Sequence, residues 1–449
     1  MFKKHIIILN MDYYLKLIED CETVLRTNDF GKYTVPSREI YPHQWLWDSC
    51  FIAIGLASIN VDRAKEEIES IFEGQWLDGM LPHMIFRTKE TNNEDREFWA
   101  SWRNPKSPSV PTSGITQPPI IAEAIIKIGK KLPKSERITW YKKMLPKLIK
   151  YHEWIYATRD PKNKGLAIII HPWESGLDNT PPLIKSLKVN STPFWLSLLK
   201  TFKIIKLLDS FRADTKNVPE NQRATTADLI ILYVLKRRVR KNSYDVKKLL
   251  SKKSFAIEDL TFNCILNRAN SHIVEIAKFI KFELDEELLE KFAKTEKALD
   301  LLWDPYKSQY FSRDYYTGNL IKEPSIASLM PLYAGKVDKD RVEVIVSSLE
   351  NKELYGSTFP IPSVPLDSDW FKETEYWQGP TWINTNWFIL DGLKRAKYMD
   401  HYGALKETTL EMVENSGIYE YYNPHNGHGE GIQKFSWTAA LCLDLIKND

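Results

Sequence analysis

Through most of its length this chain repeats one pattern: apolar residues three and four positions apart, the spacing of a helix with one buried face. The pattern runs through 12–26, 47–59, 62–76, 119–130, 137–157, 193–209, 226–238, 256–281, 285–303, 340–350, 380–398, 403–414 and 434–447. Strict alternation, the mark of a half-buried strand, is nearly absent; Gly165–Ile170 is the best short candidate. No repeat of fixed length is visible. The helices are joined by long connections rich in aromatics and proline, at 77–117, 159–192, 304–330, 355–379 and 417–433. Connections of that length without structure of their own are usually functional. About a dozen helices, with the unusual residues gathered in alternate connections, imply an all-α toroid decorated on one face. Nothing reads as a flexible linker between domains. The expectation is one catalytic domain spanning 1–449, with 77–117 and 180–255 elaborated as a cap over its mouth.

With 449 residues, 43% hydrophobic and 27% charged, the chain can bury a large core and is not of disordered composition. A net charge of +3 with acids and bases nearly balanced gives no reason to expect nucleic acid as a partner. The one basic run, Lys236-Arg237-Arg238-Val239-Arg240-Lys241, reads as a solvated helix end. Cys21, Cys50, Cys264 and Cys442 are far apart and lack metal-binding spacing, which suits reduced thiols in the cytoplasm. The apolar run after Lys3 and Lys4 is too short for a signal peptide, and no segment is long enough to span a membrane. Tryptophan is the outlier, 15 beside 21 Tyr and 19 Phe. Many of these rings have polar company, as in Trp45-Leu46-Trp47-Asp48 and Tyr376-Trp377-Gln378. That mixture suits a sugar pocket, where a ring covers a C–H face while carboxylates and amides bind hydroxyls.

The stretch His171-Pro172-Trp173-Glu174-Ser175-Gly176-Leu177-Asp178-Asn179-Thr180-Pro181-Pro182 is the most informative. Gly176 and the two prolines break regular structure, so Glu174 and Asp178 sit on a loop or helix end. A carboxyl group beside a tryptophan face can stay protonated near neutral pH, as acid-catalysed cleavage requires. An equally ordinary role for Asp178 or Asn179 is capping the helix that follows.

Three further segments carry candidate residues. Arg38 through Asp48 opens a helix. Asp48 could accept from a sugar or simply favour the helix dipole, Trp45 and Trp47 offer ring faces, and Arg38 could steady carboxylates. Gln117 is an amide held by Pro118 and Pro119. Tyr376, Trp377 and Gln378 precede Pro380, which is placed like the first residue of a helix. Glu420 lies between Tyr419 and Tyr421, upstream of the glycine-rich 427–431 and of Phe435-Ser436-Trp437. His425, His428 and Glu430 lack zinc-site spacing, and neither a nucleophile elbow nor a phosphate or dinucleotide loop is present, so no metal or cofactor is expected.

Taken in order, these segments resemble the inverting α-glycosidases built on an (α/α)6 barrel, near the branch that holds mannosylglycerate and glucosylglycerate hydrolases (glycoside hydrolase family 63). The matching blocks are Arg38–Asp48 with Tyr41, Gln117–Pro119, Trp173–Asn179, Tyr376–Trp382, and Glu420–Asn423 with Phe435–Thr438. The resemblance implies Asp178 as general acid and Glu420 as general base, acting without metal or cofactor on a small α-glucoside or α-mannoside. Glu174 would raise the acid's pKa or bind hydroxyls, and Arg212 would read a glycerate carboxylate. The remaining implied sugar contacts are Arg38, Tyr41, Trp45, Trp47, Asp48, Gln117, Trp173, Gly176, Tyr376, Trp377, Gln378 and Trp437. Competing readings are a sugar epimerase or isomerase on the same toroid, which would want opposed histidines among His43, His83, His171 and His428, and a sugar-binding protein without turnover. The sequence sets no oligomeric state.

Overall fold

The computed structural model describes residues 14–87, 92–191 and 218–448. Its frame is a ring of six inner helical segments. Leu46–Leu56 packs on Ile121–Lys131, which packs on Leu260–Ile280. The ring continues through the short Pro331–Ala334 and then Ile383–Arg395 to Ser436–Lys447, which closes it against Leu46–Leu56. The outer layer is amphipathic: Val61–Glu73 lies against the first two inner helices, Lys134–Arg159 against the second and third, and Met399–Ser416 against Ile383–Arg395. Leu15–Asn28 lies on Ser436–Lys447. This is an (α/α)6 barrel.

The two layers differ as burial demands. All eleven residues of Leu46–Leu56 are buried, and ten of the thirteen of Ile383–Arg395. Val61–Glu73 instead hides Ala64, Ile68, Ile71 and Phe72 and turns Asp62, Glu66 and Glu73 outward, as a surface helix must. Asn60 caps its start by accepting from the Arg63 N–H.

The segments entering the inner helices converge on one face, and short strands tie them together. Gln44–Trp45 pairs antiparallel with Met84–Ile85, and Ile85 bridges Thr112. Ile168–Ile169, inside the stretch expected as a strand, pairs with Ile257–Glu258, which pairs in turn with Arg313–Asp314. Residues 417–433, expected as an irregular connection, instead form a hairpin of Tyr419–Tyr422 and Gly429–Gln433 with a register shift between Tyr419 and Tyr421. The helix expected at 193–209 lies outside the described residues.

A second apolar cluster joins Met84, Phe86, Trp99 and Ile115 to Val239, Val246 and Leu249. It packs the 77–117 segment onto the helices Thr226–Lys241 and Val246–Ser251. The basic run is not all solvated: Lys236 is buried and donates to the Phe98 carbonyl, while Arg240 donates to the carbonyls of Glu97 and Phe98. Among the described residues no helix is long and apolar enough to cross a membrane.

Candidate active site

Three of the inner helices, Leu46–Leu56, Ile121–Lys131 and Ser436–Lys447, bring residues just before or inside their first turn to a common cavity. Asp48 sits in the first turn of Leu46–Leu56, Gln117 precedes Ile121–Lys131, and Trp437 opens Ser436–Lys447. The cavity, about 60 Å³, is lined by Pro36, Tyr41, Trp45, Trp47, Asp48, Gln117, Trp173, Gly176, Asp178, Tyr376, Glu420, Phe435 and Trp437. Segments from both ends of the sequence thus meet at one point.

Three carboxyl groups face this space with different surroundings. Asp178 is pushed up to about 7, first by burial and then by the charge of Glu420. Among the described residues no side chain hydrogen-bonds its carboxyl. Burial likewise pushes Asp48 well above the usual range, with Glu420 and Asp178 adding to the effect and a backbone N–H opposing it. Glu420 is fully partnered. Its Oε1 accepts from the Tyr41 hydroxyl at 2.9 Å and from Arg223 Nη1 at 3.3 Å. Its Oε2 accepts from Arg223 Nη2 at 2.9 Å and from the Ile432 N–H at 3.3 Å. The site therefore holds one carboxyl that keeps its proton near neutrality beside one that is ion-paired.

The rings are held by close packing. Trp47 stands edge-on to Trp437, with centroids 5.5 Å apart, and Phe435 is edge-on to both Tyr41 and Trp437. Gly176 is at φ +76°, and a Cβ there would stand 2.4 Å from the Trp47 ring, so only glycine lets the 173–179 loop lie on that tryptophan. Tyr376 holds φ +42°, a conformation a tyrosine rarely adopts, which turns its ring to the cavity wall. Gln117 Oε1 accepts from the Trp47 N–H at 3.2 Å, leaving the amide nitrogen free to donate.

Several expected residues lie elsewhere. Arg38 is exposed, stacked over the Phe30 ring and donating to the carbonyls of Thr27 and Asp29. The guanidinium that steadies a site carboxylate is Arg223, a residue that sequence reasoning missed; nothing marks it but its place between a proline-led turn and the cap Thr225. Glu174 lies behind the cavity. It accepts from Arg159 Nη2 at 2.6 Å and from the N–H groups of Thr116 and Ile170, so it braces the 173–179 loop and is not among the groups that shift Asp178. Trp377 and Gln378 also stand behind the lining. The Trp377 N–H donates to Asn179 Oδ1 and Gln378 Nε2 donates to the Asn179 carbonyl, while Trp377 stacks on Trp382 at 3.6 Å. Asn179 is thereby spent on joining its own loop to 376–378. Arg212 lies outside the described residues. Among those described, no group of three His, Cys, Asp or Glu could hold a metal.

A family model described as the mannosylglycerate hydrolase MGH1-like glycoside hydrolase domain matches residues 41–438. The mannosylglycerate hydrolase of Thermus thermophilus is 35% identical over 431 residues, covering 94% of this chain and 98% of that protein. The glucosylglycerate hydrolase of Mycolicibacterium hassiacum is 29% identical over 443 residues, covering 94% and 96%. A crystal structure of the GH63 mannosylglycerate hydrolase from Thermus thermophilus in complex with Tris and D-glycerate superposes with a TM-score of 0.85 at 33% identity, over 95% of this chain and 99% of that one. The convergence of carboxyl groups and tryptophans at the mouth of an (α/α)6 barrel, with a family match running from Tyr41 to Thr438, means that this chain belongs to the MGH1-like glycoside hydrolases of family GH63.

Proposed function

We propose that the chain hydrolyses an α-hexoside of glycerate, mannosyl or glucosyl, with inversion at the anomeric carbon. The observation that carries this reading is the pairing of Asp178, protonated up to about pH 7, with Glu420, ion-paired to Arg223, on one cavity. Asp178 gives its proton to the glycosidic oxygen as the bond to the anomeric carbon breaks. Glu420 takes a proton from a water whose oxygen bonds to that carbon from the opposite face. An inverting pair stands about 6.5–9.5 Å apart so that this water fits. Tyr41, Trp45, Trp47, Trp173, Tyr376 and Trp437 form the ring walls, and Asp48 and Gln117 offer polar contacts to sugar hydroxyls. The hydrolases of Thermus and Mycolicibacterium support glycerate as the aglycone.

No histidine lines the cavity among the described residues, which weighs against an epimerase. The apolar cluster joining 77–117 to 226–251 supports reading those segments as a cap on one domain. Four buried cysteines, none in a disulfide, fit a cytoplasmic protein.

Proton NMR of reactions with α-mannosylglycerate, α-glucosylglycerate and a panel of α-disaccharides tests the proposal. The β-anomer of the hexose should appear first, and from a glycerate conjugate. Early α-anomer overturns the inverting pair; cleavage of disaccharides alone overturns the aglycone.

A further inference from the structure

A free carboxylate has about four lone-pair positions, and Glu420 has all four filled: Tyr41 and Arg223 Nη1 on Oε1, Arg223 Nη2 and the Ile432 N–H on Oε2. A base in that condition cannot also hold a water. One contact must yield, and the geometry indicates which. Nη1 lies 3.3 Å from Oε1 but only 2.7 Å from the Tyr41 hydroxyl oxygen, so it can leave the carboxylate and keep that partner. Nη2 at 2.9 Å and the Ile432 N–H then hold Oε2 in place.

Arg223 is fixed for this task. Its side chain is 4% exposed, its charge lies over the rings of Tyr41 and Tyr376, and its neighbour Gln222 is bonded into the base hairpin. Gln222 Oε1 accepts from the Gly431 N–H at 3.0 Å, and its carbonyl accepts from the Tyr421 hydroxyl. Gly431 lies against the base, since a Cβ there would stand 2.6 Å from Glu420 Oε2.

We propose that Arg223 is a positioning residue that grips both oxygens of Glu420 and yields Oε1 to the attacking water. The proposal rests on Glu420 being the base. The other titratable groups facing Glu420 among the described residues are the carboxyls of Asp48 and Asp178, which oppose its charge, and the hydroxyls of Tyr41, Tyr376 and Tyr421. Removing Arg223 leaves the carboxylate held only by the Tyr41 hydroxyl on Oε1 and the Ile432 N–H on Oε2.

The test is the separate kcat and KM of Arg223→Gln and Arg223→Lys, on whichever of α-mannosylglycerate and α-glucosylglycerate the wild type cleaves. A misplaced catalytic group costs about 100-fold in rate, so Arg223→Gln should lower kcat by about that factor with KM little changed. Arg223→Lys, which grips one oxygen of the carboxylate, should recover part of the loss. A kcat left at the wild-type value in both variants, or a loss that falls on KM alone, overturns the proposal. Should Arg223→Gln not fold, Arg223→Lys alone decides by the same split between kcat and KM. Glu420→Gln separates the two levels: turnover retained there sinks the base assignment itself, whereas turnover lost there with kcat unchanged in the Arg223 variants sinks only the role of the arginine.

Discussion

Replacing Asp178 with asparagine should stabilise the fold at alkaline pH while abolishing turnover. In the folded chain the carboxyl holds its proton up to about pH 7, whereas an ordinary aspartate releases it at 3.8. Between those values the folded state binds more protons than the unfolded one, so stability falls as pH rises. At 1.36 kcal/mol per pH unit, the wild type carries a cost of about 1.6 kcal/mol at pH 5 and about 4 kcal/mol at pH 8. Asparagine has no charge to bury, but its amide has no partner in the pocket and costs about 1–2 kcal/mol. The variant should therefore match the wild type at pH 5 and exceed it by about 2 kcal/mol at pH 8. Urea unfolding followed by tryptophan fluorescence at pH 5, 6, 7 and 8 measures the difference without any substrate. A difference that stays flat across this range refutes the argument, because the slope requires a carboxyl that keeps its proton in the folded state up to about 7 while the unfolded chain releases it at 3.8.

Activity should report the same group from the other side: if Asp178 is the proposed acid, kcat/KM should decline above pH 7 as it loses its proton, and a profile level to pH 9 would exclude that role. Glu174→Gln should leave Arg159 charged and unpaired in the core and cost about 3–5 kcal/mol. Adding Arg159→Met should recover much of that loss in thermal unfolding, and a Glu174→Gln that changes KM at full stability would return Glu174 to the substrate. Gly176→Ala forces a Cβ against Trp47 at a backbone angle alanine resists, so it should cost about 2–4 kcal/mol and raise KM. An unchanged melting temperature there would mean that the acid loop does not lie on the tryptophan.

The ring is legible in the sequence because outer helices such as Val61–Glu73 carry a period of 3.6, while inner ones such as Leu46–Leu56, buried on every side, show as largely apolar runs too long for strands. Pro331–Ala334, an inner element of a single turn, is too short to show any period. The hairpin of Tyr419–Tyr422 and Gly429–Gln433 is hidden by its glycines and by the register shift beside Glu420, which break the alternation a strand would show. At the site, Asp178 and Glu420 are visible as carboxylates among aromatics, but their partners are not. Arg38 stands three residues from Tyr41 in sequence and points away, while Arg223, far off in sequence, meets the Tyr41 hydroxyl. Glu174 and Asp178 share one loop, yet one faces Arg159 and the other the cavity, a distinction set by φ +76° at Gly176 rather than by spacing.

The closing contact of the ring has a consequence for how the molecule is made. Leu46–Leu56 leaves no residue exposed once its neighbours are in place, and one of those neighbours is Ser436–Lys447. On a ribosome adding roughly 5–20 residues per second, the interval between synthesis of these two helices, about 380 residues, is roughly 20–80 s. Throughout that interval a largely apolar surface has no mate, and Asp48, Glu420 and Trp437 are not yet assembled. Nascent chains arrested before residue 436 should accordingly be protease-sensitive at Leu46–Leu56 and inactive, so that catalysis begins only once Ser436–Lys447 has left the ribosome and closed the ring.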